Sequence, residues 1–142
     1  MTGAELVVQE ARRWLQFSAE DLDVARRLLT DRLSAPRHVR WLSQQAAEKA
    51  LKAALVLEEI DFPYTHDLNV LRNLLPDSWI LQADHSELAD LTEWAVEARY
   101  PGEWPEATET DAIRAEVQAS LVLDSVVLEF RRRGLQVDEG AQ

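Results

Sequence analysis

The sequence predicts an all-α fold, an up-and-down antiparallel bundle of about five helices in one domain. Three observations carry that expectation. Apolar residues recur at three- and four-residue spacings along most of the chain, the period of a helix with one buried stripe. No stretch shows the two-residue alternation of a half-buried strand. The four glycines and five prolines fall almost entirely where a helix would end, because Pro lacks a backbone donor and Gly accepts the left-handed turn of a helix terminus.

The first helix is expected from Ala4 to about Leu33, with Val7, Ala11, Trp14, Leu15, Leu22, Ala25, Leu28 and Leu29 on its buried side. Ser34 and Pro36 supply a break and a new start. The second helix, Pro36 to Ile60, carries Val39, Leu42, Ala46, Ala50, Ala53 and Leu57 on one stripe, widened by Trp41, Ala47, Leu51, Ala54 and Leu55. Five alanines between Ala46 and Ala54 leave little bulk, so a neighbouring helix can approach closely and this helix is expected at the centre. Asp61-Phe62-Pro63 is expected to end it. Thr65 is expected to cap a short helix from Asp67 to Leu75. A fourth helix is expected from about Asp84 to Ala98, followed by a long loop through Tyr100-Pro101-Gly102-Glu103-Trp104-Pro105. Thr108 and Asp111 resemble a capping pair for the last helix, which is expected to end at Arg131-Arg132-Arg133 with Gly134 as its C-terminal glycine. The whole of 1–142 is read as one domain, with 136–142 as a frayed tail.

In the last helix Leu121, Val122, Leu123, Val126, Val127, Leu128 and Phe130 surround nearly the whole circumference. A helix apolar all round is buried on more than one side, and a domain this small offers limited cover. A homodimer through Leu121, Val122, Val126 and Phe130 is the expectation.

Composition narrows the functional classes. With no cysteine, disulfides and thiolate metal sites are excluded, and no His/carboxylate cluster has metal-ligand spacing, so no metal or cofactor is expected. The N-terminus lacks the basic start and apolar run of a signal peptide, and no uncharged run approaches the ~20 residues of a membrane span. A cytoplasmic protein is expected. A net charge of −11 argues against RNA or DNA as a general partner, since such affinity rests on cationic neutralisation of phosphates. The charge is uneven. Arg26 to Arg40 holds five arginines and one acid, whereas Glu58 to Asp111 holds fourteen acids and two arginines. That asymmetry reads either as solvated helix faces or as a local anion site on an acidic body.

The run Gln44-Gln45-Ala46-Ala47-Glu48-Lys49-Ala50-Leu51-Lys52-Ala53 resembles the HEPN family, the higher eukaryote and prokaryote nucleotide-binding domains. Trp14 and Ala25 in the first helix, Thr65-His66-Asp67-Leu68 after the central helix, and Ala98-Arg99-Tyr100-Pro101 match in order. The resemblance implies an up-and-down bundle, a homodimer, a nucleotide ligand, and a common pairing with a separate minimal nucleotidyltransferase, often in a prokaryotic toxin–antitoxin arrangement. Many members of the family are metal-independent ribonucleases that use an Arg followed, after four to six residues, by a His: acid–base transfer by His, charge stabilisation by Arg. Arg99 stands about where that arginine is expected, but Trp104, Pro105 and Glu106 occupy the positions of the histidine. Arg32 and His38 have the right spacing at the wrong end of the fold, a match that chance supplies in a chain with thirteen Arg and three His.

Three readings follow. The first is a non-catalytic helical dimer that binds a nucleotide or partners a minimal nucleotidyltransferase. The second is a toxin-type ribonuclease with a displaced or degenerate site, for which Arg99 and His66 are the candidate catalytic residues. The third is a scaffold dimer without ligand. Candidate nucleotide contacts are Arg99, Tyr100, Lys52, Lys49, His66 and Trp104: cations for phosphate, rings for base stacking. Their structural alternatives are ion pairs for Arg99, Lys49 and Lys52, loop packing for Tyr100 and Trp104, and for His66 a first-turn position bonded to backbone or to Glu48. His85 is expected on the surface.

Overall fold

The computed structural model describes residues 1–31, 35–83, 88, 91 and 106–137. Five helices are present among them and no strand: α1 (Gly3–Thr30), α2 (Pro36–Leu57), α3 (Leu68–Asn73), α4 (Ile80–Ala83) and α5 (Glu109–Arg132). Of the fourth helix expected from the sequence, only Leu88 and Leu91 are described, and both are buried. The helical turn at Ile80–Ala83 precedes it, where the sequence suggests only a connection.

The termini follow local chemistry. Thr2 caps α1 in a capping box with Glu5, and Thr108 caps α5 with Asp111. Each box ties two backbone donors that a helix start would otherwise leave unpaired. α2 begins on Pro36 with Ala35 as its N-cap and no side-chain cap bond. The cap of α3 is Asp67, not Thr65. The Asp67 carboxylate accepts from the Asn69 and Val70 amides, while Thr65 Oγ1 accepts from the Asp67 amide one turn earlier. This places His66 just before the helix.

α2 stops at Leu57, ahead of the expected Ile60, for a reason other than Pro63. Glu59 turns left-handed (φ 55°), the Ile60 amide reaches back to Leu55 O at 2.9 Å, and the Glu59 amide to Val56 O at 3.0 Å. This is a Schellman motif. Gly134 (φ 79°) closes α5 by the same pattern, with Leu135 bonded to Phe130 O.

α2 is the central helix, packed on α1, α5 and α3. All five alanines from Ala46 to Ala54 are fully buried, with Leu51 and Leu55. The facing residues are Ala11, Leu15 and Leu22 from α1, Leu68 and Leu71 from α3, and Ala119, Leu123, Val126 and Phe130 from α5. A smaller cluster of Ala25, Val39 and Ala112 seals the other end. At the chain's end, Arg12 Nε donates to Gln136 O at 2.8 Å and Val137 packs on the core. The ordered chain therefore runs past the expected start of the tail, and 138–142 lie outside the described residues.

The last helix requires a correction. Val122, Val126 and Phe130 are at most 2% exposed inside the protomer, because α5 turns that face onto α2. Of the four residues expected at a dimer interface only Leu121, 59% exposed, is free to meet a partner.

Candidate functional site

The run in α2 that carries the family resemblance has an outward edge, and the loop after α2 folds back over it. Glu48, 4% exposed, sits at the centre. Its Oε1 accepts from Gln44 Nε2 at 3.1 Å and lies 2.8 Å from His66 Nδ1, while its Oε2 accepts from Lys52 Nζ at 3.2 Å. An ionised carboxylate only accepts, so Nδ1 carries the hydrogen of that bond. Gln44 Nε2 also reaches His66 O at 3.3 Å, locking the loop backbone to the helix. Lys52 Nζ lies 5.5 Å from the Trp14 ring centre and 5.6 Å from that of Phe62, both within cation–π range. Tyr64, almost fully exposed, meets the His66 ring edge-on.

Burial, the largest single influence on Glu48, pushes its carboxyl pKa upward. The bonds from His66, Gln44 and Lys52 together outweigh it and hold the carboxyl below the ordinary glutamate value, the balance expected of a buried acid with several donors. His66 Nε2 is buried and has no hydrogen-bond partner.

The other candidates separate. Lys49 Nζ is bound to Asp21 Oδ2 of α1 at 2.5 Å. Arg99, Tyr100 and Trp104 lie outside the described residues, as do His85 and Arg32. The structure thus unites Lys52 and His66 through Glu48 and gives Lys49 a separate partner. Sequence reasoning named the His66–Glu48 bond but missed Gln44, Phe62 and the clamp on Lys52. The available signal was spacing: Gln44, Glu48 and Lys52 recur every four residues on one helix edge.

The arginine-rich stretch is largely engaged within the chain. Arg26 binds Glu116 and Ser120 of α5, each at 2.7 Å, Arg27 pairs with Asp23, and Arg40 lies 3.8 Å from Asp111. Beside Arg40 a cavity of about 170 Å³ opens between α2 and the first turns of α5, lined by Asp111, Arg114 and Gln118. Asp111 is held below the ordinary aspartate range, chiefly by its capping bond to the Thr108 amide and also by the neighbouring Arg40 and Arg114. Among the described residues no group of His, Cys, Asp or Glu could hold a metal ion, and no helix is long and apolar enough to cross a membrane.

The family model of the HEPN domain matches residues 11–130. The chain belongs to the HEPN family. It is similar in structure to ST0689, an archaeal HEPN homologue, with a TM-score of 0.62 and 27% identity over 91% of this chain and 98% of that one. Among curated proteins none matches. As a HEPN domain, this chain keeps its Gln-x-x-x-Glu-x-x-x-Lys edge and its Thr-His-Asp-Leu turn in one connected cluster that joins α1, α2 and the α2–α3 loop.

Proposed function

We propose that this HEPN domain is the non-catalytic member of a two-protein unit, a helical homodimer that partners a minimal nucleotidyltransferase. The observation that carries the reading is that Lys49, Lys52 and His66 Nδ1 are each taken up by a carboxylate of the chain itself. A ligand site presents unsatisfied polar groups to a cavity. Here the Lys52 ammonium faces Glu48 and two rings, Lys49 faces Asp21, and His66 Nδ1 faces Glu48. An acid–base histidine must reach its substrate directly or through one water, whereas the second nitrogen of His66 is buried. Both facts argue against His66 as a catalytic residue and against Lys49 and Lys52 as phosphate contacts. The absence of a histidine after Arg99 argues in the same direction.

A second reading, nucleotide binding, is favoured by the cavity at Arg40 and Arg114. Its volume of about 170 Å³ falls below the ~300 Å³ at which pockets enclose a drug-sized ligand. It has room for a single phosphate group beside the Arg40 and Arg114 guanidinium groups, with the rest of a nucleotide lying outside, and that phosphate would have to draw Arg40 from the Asp111 carboxylate on the same wall.

The test combines three measurements on the purified full chain. Co-elution with a minimal nucleotidyltransferase, with no cleavage of a mixed RNA substrate, is the expected result. RNA cleavage abolished by Arg99→Ala would establish the ribonuclease alternative instead. A rise in melting temperature with ATP that Arg114→Ala removes would select the nucleotide-binding reading, because a ligand bound only by the native state stabilises it by mass action. A chain that does none of these leaves the scaffold reading.

A further inference from the structure

Between α2 and α3 the chain crosses the outward edge of α2 as a strap, residues 61–66. Among the described residues these make no backbone-to-backbone hydrogen bond: the pattern stops with the Ile60 amide on Leu55 O and resumes with the Leu71 amide on Asp67 O. Side chains hold the strap down instead. His66 Nδ1 donates to Glu48 Oε1 at 2.8 Å, and Gln44 Nε2 donates to His66 O at 3.3 Å. Phe62 packs on the core with the Lys52 ammonium 5.6 Å from its ring centre. All three ties lead to Glu48. Its carboxylate takes the His66 hydrogen and also accepts from Gln44 Nε2 and from Lys52 Nζ, which orients both of those donors. The strap is bounded by two corners, the left-handed Glu59 at φ 55° and Asp67, the N-cap of α3.

We propose that residues 61–66 are a strap latched by Glu48, which lifts from α2 as a unit while the helical bundle stays folded. A segment opens locally, at a smaller free energy than global unfolding, when few buried contacts and no main-chain ladder hold it. The bundle has its own support: α1, α2 and α5 share the main core, and Leu68 and Leu71, both fully buried, pin the chain beyond Asp67. Lifting the strap carries Phe62, Tyr64 and His66 outward and bares Glu48, which the closed form keeps 4% exposed. Lys52 stays within reach of Glu48, four residues on along the same helix edge. The open form therefore presents an ion pair and a released imidazole rather than a free cation. Tyr64, 93% exposed even in the closed form, marks the part of the strap that the bundle does not hold.

Native-state proteolysis of the full chain with chymotrypsin reads the opening directly. Cleavage after Tyr64 requires the neighbouring residues to extend inside the protease, which the closed latch forbids, and Pro63 blocks the competing cut after Phe62. When reclosing is faster than cleavage, the rate follows the population of the open form. The cut after Tyr64, identified by fragment mass, is expected without denaturant. Its urea dependence should be much shallower than that of global unfolding, because the slope scales with the surface exposed. Glu48→Gln should speed this cut by about tenfold, the effect of weakening a hydrogen bond to a charged group. Asp21→Asn breaks the Lys49 pair on the α1 side and leaves every tie of the strap in place, so it should leave the rate unchanged. A native chain not cut after Tyr64, or cut there with the urea slope of global unfolding, overturns the proposal. So does a Glu48→Gln chain cut no faster than the native one, or an Asp21→Asn chain accelerated as much as Glu48→Gln.

Discussion

Ser18 Oγ donates to the backbone carbonyl of Ala46 at 2.7 Å, a side chain of α1 bonded to the main chain of α2. Both residues are fully buried. Such contact requires the two helices to approach closely, and the alanines of α2 make the room. Ala46→Leu should therefore cost more than Ser18→Ala. The first forces three carbons into a filled seam, worth about 2 kcal/mol or more. The second removes one hydrogen bond, about 1 kcal/mol. Urea unfolding followed by circular dichroism orders the two.

The Glu48 cluster predicts acid sensitivity. Its carboxyl pKa is lowered in the folded chain from the ordinary 4.5, so the stability it contributes is present above pH 4.5 and is lost as pH falls through the folded value. Glu129, lowered chiefly by Arg132, and Asp111, lowered chiefly by the Thr108 amide, act with the same sign. Stability measured by urea titration from pH 7 to pH 3 should fall in that window. Glu48→Gln should be less stable at pH 7 and show a shallower acid slope, with the slope from the other two carboxylates remaining. An unchanged slope would remove Glu48 from the account.

Two helix ends share one motif and differ in the residue that fills it. Glu59 holds a left-handed conformation at φ 55°, and Gly134 does so at φ 79°. A side chain in that region costs about 1 kcal/mol relative to glycine. Glu59→Gly should raise the melting temperature by a few degrees. Gly134→Ala should lower it by a similar amount. A Cβ at 134 would meet no atom within 4 Å, so that loss isolates the backbone term from any clash.

Local chemistry was readable along the chain. The capping pair Thr108–Asp111, the closing Gly134, and the alanine-rich central helix all follow from properties a residue carries into any fold: a side-chain acceptor, a missing Cβ, a small volume. The end of α2 differs from the expectation because Pro63 is a strong local signal, while the actual stop is a backbone reversal at Glu59 with no residue signature. Trp79 reads as part of a connection, yet it is 1% exposed, bonds Glu58 through Nε1 at 2.9 Å and is covered by Arg133.

By itself, then, the sequence determined that this chain makes long helices around an alanine-lined centre, and that Glu48, Lys52 and His66 belong to a recognisable family pattern. Tertiary structure alone decided what those residues do. Lys49 and Lys52 look like anion ligands in one dimension, and they become internal partners because Asp21 and Glu48 stand within reach once the helices pack. The same holds for the last helix. Its apolar residues encircle it in sequence, and only the position of α2 determines that Val122, Val126 and Phe130 turn inward while Val117, Leu121 and Leu128 remain open. A residue's type sets which contacts stabilise it, but the distance to a group far along the chain sets which of them it makes.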